Sequence, residues 1–161
     1  MKALMNIRFA CPNDLDFIYN SLVELFTEAQ VIERFSQTKI SLFQRLFSIQ
    51  PAAEVLIGEI KKESVGFALF SMTNRNFPLF YGPGLYLHDL YVNEHYRRMG
   101  IATELISQLK KIAKERSCTR IDWVLLTNNK LGQNFYKKIE SAKAVDYIQY
   151  MRMNCEETTR V

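Results

Sequence analysis

The chain has 161 residues, 48% of them hydrophobic, and a formal net charge of +4. That is enough apolar material for one sizeable core, and with no repeat, linker or low-complexity tract it reads as a single domain over residues 1–161. The small basic excess favours anionic partners without choosing among phosphate, nucleic acid and membrane headgroups, and a mildly basic surface explains it equally well.

Cys11, Cys118 and Cys155 lie far apart, with no CxxC spacing and no histidine pair nearby. This argues against a disulfide scaffold or a zinc site, so no metal is expected, and reduced thiols suit a cytoplasmic protein. The N-terminal MKALMNIRFA has too short an apolar run for a secretory signal, and Arg8 interrupts it. No run approaches membrane-spanning length, so no membrane partner is expected.

In chain order, NIRFA (6–10) alternates as a first strand, and PNDLDFIYNSLVELF (12–26) carries Leu15, Ile18, Leu22, Leu25 and Phe26 at helical spacing. Asn13 with Asp16 three residues on suggests the N-cap pair of that helix. KISLFQRLF (39–47) predicts a second helix with Ile40, Phe43 and Phe47 on its apolar side. AEVLIGEI and SVGFALFSMT, joined by the polar turn KKES, predict an antiparallel hairpin. The loop NRNFPLFYGPG leads into the strand LYLHDLYV (85–92).

A helix from Ile101 to about Arg116 then sets Ile101, Leu105, Leu109 and Ile112 along one stripe, with Lys110, Lys111, Lys114 and Arg116 towards its negative end. RIDWVLL (120–126) predicts a strand, LGQNFYKKI (131–139) a helix, and AKAVDYIQYMRMN (142–154) one or two closing strands. The order gives an α/β mixed sheet with helices rather than an alternating doubly wound pattern.

The turn between LYLHDLYV and the long helix reads NEHYRRMGIAT. A helix that opens at a tight turn leaves backbone N–H groups without intrahelical partners, and with the helix dipole these favour a phosphate or diphosphate. Gly100 lets a ligand approach the backbone closely, and Arg97 and Arg98 offer charge-assisted donors. An ordinary strand-to-helix turn with solvated arginines explains this stretch as well when it is taken alone. It is neither a G-x-G-x-x-G fingerprint nor a P-loop.

Downstream residues add weight. Arg97-x-x-Gly100-x-Ala102 resembles the R/Q-x-x-G-x-G/A signature of the GCN5-related N-acetyltransferase (GNAT) superfamily. NNKLGQNFYKK resembles its N-x-x-[A/S/G]-x-x-F-Y segment through Asn129, Gly132, Phe135 and Tyr136, and IRFACPNDLDFI is similar to its usual opening. The resemblance spans nearly the whole chain and is nearest to the diamine (spermidine/spermine) acetyltransferase branch.

The resemblance implies a GNAT-type fold, a mixed and mostly antiparallel sheet splayed at the cofactor site, with acetyl-CoA as co-substrate and transfer of its acetyl group to a primary amine, a polyamine or diamine in the branch named, with a protein N-terminus, a lysine, an amino acid or an antibiotic amine as alternatives. Residues 98–103 (Arg98, Met99, Gly100, Ile101, Ala102 and Thr103), with Arg97, would meet the diphosphate. Leu90 and Val92 would pair through their backbones with the pantetheine arm, and Asn129 would help hold the cofactor. Each has an alternative: Leu90 and Val92 as core, Asn129 as a helix N-cap. Tyr136 would protonate the departing thiolate, a reasonable task for a phenol; its alternative is a packed aromatic beside Phe135.

For the base, His88 and Asp89 are consecutive on the strand and are expected to face opposite sides of the sheet. The diamine branch tends to carry Glu-Asp here, and His-Asp removes one negative charge from a pocket suited to a polycation. His88 can act as base directly or through water, or be a hydrogen-bonded core histidine. Asp89, Glu28 and Glu33 are candidates for binding the substrate ammonium. Glu140 stands where the family usually has a glycine after the helix, which puts the closing strands in question. The resemblance also implies a homodimer. A non-catalytic acyl-CoA-binding module is the rival from another class; nucleic-acid binding lacks any motif.

Overall fold

A two-residue turn sets the frame of the sheet. The computed structural model describes residues 4–153 and Cys155. In it, strands β2 (Glu54–Ile60) and β3 (Glu63–Thr73) are joined through Lys61 and Lys62, both at positive φ (51° and 71°). Two such residues make the tight turn whose twist matches the flanking strands. Strand β1 (Met5–Phe9) pairs antiparallel on one side of this hairpin and β4 (Gly84–Val92) on the other, and β5 (Arg120–Trp123) adds parallel to β4. The order is β1-β2-β3-β4-β5, a mixed and mostly antiparallel sheet as expected.

The chain divides into two compact units, one running to Val124 and one from Leu125 onward. In the first, helices α1 (Leu15–Glu28) and α2 (Lys39–Phe47) cover one face of the sheet. Ile18 and Leu22 of α1 and Leu42 and Leu46 of α2 form a core with Val55, Ile57, Phe67 and Tyr91. The expected apolar side of α2 needs correction: Ile40 is 73% and Phe43 42% exposed, and the buried pair is Leu42 and Leu46. Both stripes have helical spacing, so periodicity alone does not choose between them. The Thr38 hydroxyl, which accepts from the Ser41 N–H at 3.1 Å, caps the helix.

The start of α1 also differs from expectation. Asn13 and Asp16 do not form the cap. A short 3-10 turn over Pro12–Asp14 precedes the helix, and the buried Asp14 carboxylate accepts from the Cys11 N–H (2.8 Å) and from both terminal nitrogens of Arg8 (2.7 and 2.8 Å). Arg8 reaches on to Glu59 at 2.7 Å. Asp16 is drawn instead to Lys39 on α2 (2.6 Å). A buried carboxylate with a bidentate arginine beside it outcompetes two solvent-facing groups for the chain entry.

Helix α3 (Ile101–Glu115) buries Ile101, Leu105, Leu109 and Ile112, the predicted stripe. Its first turn is seated by two glycines that pair across the hairpin, Gly58 and Gly66. A Cβ on Gly58 would come within 2.9 Å of the Ile101 side chain, and one on Gly66 within 2.7 Å of the Tyr91 carbonyl. Ile57 and Phe67, their neighbours in the strands, belong to the α1/α2 core, so α3 lies on the other face.

In the second unit, α4 (Lys130–Tyr136) is followed by turns. The expected strand 120–126 stops at Trp123, and residues 142–153 form no strand. Position 154 of the expected closing strands lies outside the described residues. Glu140 stands where a reversing glycine was expected, and the tail sets apolar residues side by side (Tyr147-Ile148, Tyr150-Met151), which breaks the alternation a half-buried strand needs. Tyr147, Tyr150, Met151 and Met153 are exposed.

Candidate active site

Strand β4 outruns its parallel neighbour. Pairing with β5 covers Gly84 to Leu87 and ends at Trp123, while β4 continues to Val92 along β3. From His88 onward, the β5-side edge of β4 has no strand partner among the described residues. An unpaired run of backbone donors and acceptors is a template for an extended ligand. Leu90 and Val92 lie on this run, both partly buried.

The other edge of β4 holds a bulge. Leu69 pairs with Asp89 and Phe70 with Leu87, so His88 is the extra residue. Here the structure corrects the expectation that His88 and Asp89 face opposite sides. Asp89 shares its face with Tyr91, which packs in the α1/α2 core. His88 shares its face with Tyr86, opposite Ser71, and Ser71 follows Phe67 and Leu69 on that same face. Two residues facing one partner present both side chains to one side. The α1/α2 side of β4 therefore carries Tyr86, His88, Asp89 and Tyr91 together.

The surroundings tune these groups. His88 Nε2 lies 2.8 Å from Ser71 Oγ, and its ring meets Tyr86 edge-on at 4.9 Å. Partial burial, then the charges of Arg45 and Arg75, hold its pKa below the usual histidine value, which disfavours the imidazolium. Burial pushes Asp89 up to about 6, and no ion pair among the described residues offsets it. The Tyr91 hydroxyl donates to Glu24 of α1; burial first and that carboxylate second raise its pKa. Two titratable groups with shifted pKa values thus sit at adjacent positions on the open half of β4.

At the far end of β4, Gly100 caps α3 with φ 91°, and Arg98 is also left-handed at 63°. The first helical bond runs from the Glu104 N–H to the Gly100 carbonyl. The N–H groups of residues 98 to 103 have no acceptor among the described residues. A Cβ at Gly100 would meet nothing within 4 Å, so the glycine serves conformation and leaves the approach clear. Such a cluster of free donors at a helix N-terminus fits a diphosphate.

Arg97 is turned inward: its Nε donates to the Val92 carbonyl (2.9 Å) and one terminal nitrogen grips both oxygens of Glu28 (2.8 and 2.7 Å). The side chain fixes the turn against β4 and α1, and it occupies the Glu28 carboxylate that sequence had offered as an ammonium ligand. Glu33 sits exposed in a short 3-10 turn, 3.7 Å from Arg34.

A strand with an open edge, a bulge with two titratable groups and a helix N-terminus suited to a diphosphate form one arrangement. The profile of the acetyltransferase (GNAT) family matches residues 15–140 of it. The chain belongs to the acetyltransferase (GNAT) family. By that membership it is an acyl-transferring enzyme of the N-acetyltransferase class. It is 28% identical over 137 residues to spermidine/spermine N(1)-acetyltransferase-like protein 1 of Homo sapiens, covering 81% of this chain but only 19% of that protein. It is 32% identical over 143 residues to thialysine N-epsilon-acetyltransferase of Mus musculus, 84% of this chain and 82% of that one. Among solved structures, the aminoglycoside N-acetyltransferase AAC(6')-Iy in complex with CoA shares the fold at a TM-score of 0.72, with 16% identity over 96% of this chain and 98% of that chain.

The second GNAT motif lies in the second unit. Asn129 caps α4, its side-chain oxygen accepting from the Gly132 N–H at 2.8 Å. Gly132 has to be small: a Cβ there would lie 2.8 Å from both the Asn129 amide nitrogen and a Leu125 methyl. Tyr136 ends α4 with its ring edge-on to Phe135 at 5.1 Å. Sequence reasoning overlooked Tyr86 and Tyr91 on β4 itself, and Ser71 of β3, Glu24 of α1, Arg45 of α2 and Arg75 of the loop after β3, which the fold gathers around His88 and Asp89.

Proposed function

We propose that the chain, acting as one domain over residues 1–161, transfers the acetyl group of acetyl-CoA to the primary amine of a small molecule. The observation that carries this reading is the row of N–H groups at residues 98–103 with no acceptor among the described residues, beyond the end of β4 whose edge is unpaired from His88 onward. The N–H groups of Arg98 to Thr103 would hold the diphosphate, the backbones of Leu90 and Val92 the pantetheine, and the free amide nitrogen of Asn129 remains for a further contact. Bound acetyl-CoA supplies an activated thioester.

The rest is done by side chains. In the tautomer whose Nε2–H donates to Ser71 Oγ, His88 Nδ1 has the lone pair that takes the proton of the attacking amine, directly or through a water. Asp89 adds negative charge for the incoming ammonium. Tyr136 holds a proton on its hydroxyl for the departing sulfur, a role that rests on the motif it ends. The proposal extends to a cytoplasmic homodimer, supported by the free thiols of Cys11, Cys118 and Cys155 and by the exposed aromatic residues of the tail.

The test is thiol release from acetyl-CoA against spermidine, putrescine, basic amino acids, aminoglycosides and short peptides, with Tyr136→Phe in parallel. Amine-dependent release that falls by about 100-fold or more in the variant supports transfer with Tyr136 as acid. Tight acetyl-CoA binding with no amine acetylated would replace this reading with that of a regulatory binding module.

A further inference from the structure

The open half of β4 lacks the support that β5 gives the rest of the strand. From His88 to Val92 it is paired on one side only, through β3. The Asn93 N–H donates to the Val65 carbonyl at 2.9 Å, so the next antiparallel pair, Val92 and Gly66, turns its N–H and C=O groups outward. By the same alternation Leu90, opposite Ala68, turns its backbone groups to the open edge. Arg97 Nε meets the Val92 carbonyl there at 2.9 Å and closes the end of the row. A ligand on this edge is left with the N–H of Val92 and both backbone groups of Leu90.

Helix α1 supplies what β5 does not. Glu24 and Glu28 stand four residues apart, on one face of the helix. Glu24 accepts from the Tyr91 hydroxyl, and both oxygens of Glu28 accept from one terminal nitrogen of Arg97 (2.8 and 2.7 Å). The two carboxylates thus clip the open half of β4 and the turn that follows it. Arg97 opens that turn, one residue ahead of the N–H groups at 98–103, with Arg98 and Gly100 in left-handed conformation behind it. Asp89, by contrast, is in none of the ion pairs among the described residues. A carboxylate gripped by a guanidinium has less charge to offer an incoming ammonium than an unpaired one. Resting on the acetyl-transfer reading, we propose that Glu28 is a positioning residue of the acetyl-CoA site, holding the diphosphate turn through Arg97, and not a ligand of the acceptor amine.

Glu28→Gln keeps the shape of the side chain and removes its charge, at a position whose side chain is 43% exposed. It is expected to raise the Kd for CoA in titration calorimetry by about 5-fold or more, the size of a coupling between residues in direct contact. Arg97→Gln should weaken CoA binding as well, and adding Glu28→Gln to it should weaken binding no further. Glu28→Asp, one methylene shorter, should fall between wild type and Glu28→Gln. In steady-state assays with an amine, the KM for acetyl-CoA should rise in Glu28→Gln, while the KM for the amine at saturating acetyl-CoA moves less than two-fold. Asp89→Asn should move the amine KM instead. Thermal melts without ligand check that each variant is folded at the temperature of the titration.

A folded Glu28→Gln protein that binds CoA within two-fold of wild type overturns the proposal, as does an effect that persists in full beside Arg97→Gln. A raised amine KM with an unchanged acetyl-CoA KM would return Glu28 to the acceptor pocket. If CoA binds but no amine is acetylated, the transfer reading falls by itself. The calorimetric cycle needs no acceptor and still decides whether Glu28 acts on CoA through Arg97.

Discussion

Gly100 separates folding from ligand binding more cleanly than any other position at the site. Its φ of 91° lies where a side chain is strained, yet a Cβ there meets no protein atom within 4 Å. The folding cost of Gly100→Ala is therefore backbone strain alone, about 1–2 kcal/mol, with no packing penalty. For a chain of this size that lowers the melting temperature by about 2–8 °C. Gly100→Asn should cost less, because asparagine tolerates the left-handed region better. Both variants put atoms into the space from which a ligand reaches the N–H groups of residues 98–103. A hydrogen bond to a charged group contributes about 1.5–3 kcal/mol. Losing one such bond weakens binding by about 10- to 200-fold. Titration calorimetry with CoA, beside thermal melts, reads both quantities. Asn at this position should give a nearly wild-type melt and a strongly raised Kd. A folded Gly100→Asn protein that binds CoA within two-fold of wild type would show that this corner is not where the diphosphate sits.

Two further predictions concern titratable groups. Burial first, then Arg45 and Arg75, disfavours the imidazolium of His88, so kcat/KM should rise as pH rises through a value below the usual histidine one; His88→Gln should lose about 100-fold or more and flatten this limb. Because Asp89 titrates at about 6 beside it, the apparent values belong to the pair, and a limb that survives His88→Gln but vanishes in Asp89→Asn would move the base role to the aspartate. Asp14→Asn should destabilise the fold by about 2–3 kcal/mol in denaturant melts, discounted from a fully buried pair because the Arg8 side chain is 34% exposed against 8% for Asp14. Arg8, by its hydrogen bond, holds the Asp14 carboxyl below the usual range. The stability it contributes is present above the unfolded value near 4 and is lost as pH falls through the lower folded value, a dependence that Asp14→Asn should remove. A change within 0.5 kcal/mol would refute the role given to this network.

Much of the frame was legible because local rules agree there. The Ile101–Ile112 stripe and the hairpin each follow from period or turn chemistry within a few residues. What failed depended on partners far away in the chain. Leu42 and Leu46 win over Ile40 and Phe43 because α1 and the sheet present a surface to them, which α2's own sequence does not record. Asp14 wins over Asn13 because Arg8 on β1 reaches it. The inward turn of Arg97 is of the same kind, fixed by Glu28 at the end of α1.

The bulge is different, since its trace is in the sequence. In LYLHDLYV the aliphatic residues sit at odd positions first, Leu85 and Leu87, and then at even ones, Leu90 and Val92. The tyrosines shift the other way, from Tyr86 to Tyr91. A regular strand would put Leu90 and Val92 on the α1 side and bury Tyr91 against α3. One extra residue between 87 and 90 repairs the pattern, and the observed register places it at His88. The repair keeps the aliphatic residues on one face, and it has a chemical consequence. The two residues that absorb the parity change are a histidine and an aspartate, and both now look towards α1 and α2. A base and an ammonium ligand on opposite faces could not serve one amine; side by side they can. In this chain, then, the backbone irregularity makes His88 and Asp89 usable together, and Gly66 guards it, since any Cβ there would strike the Tyr91 carbonyl two residues beyond Asp89.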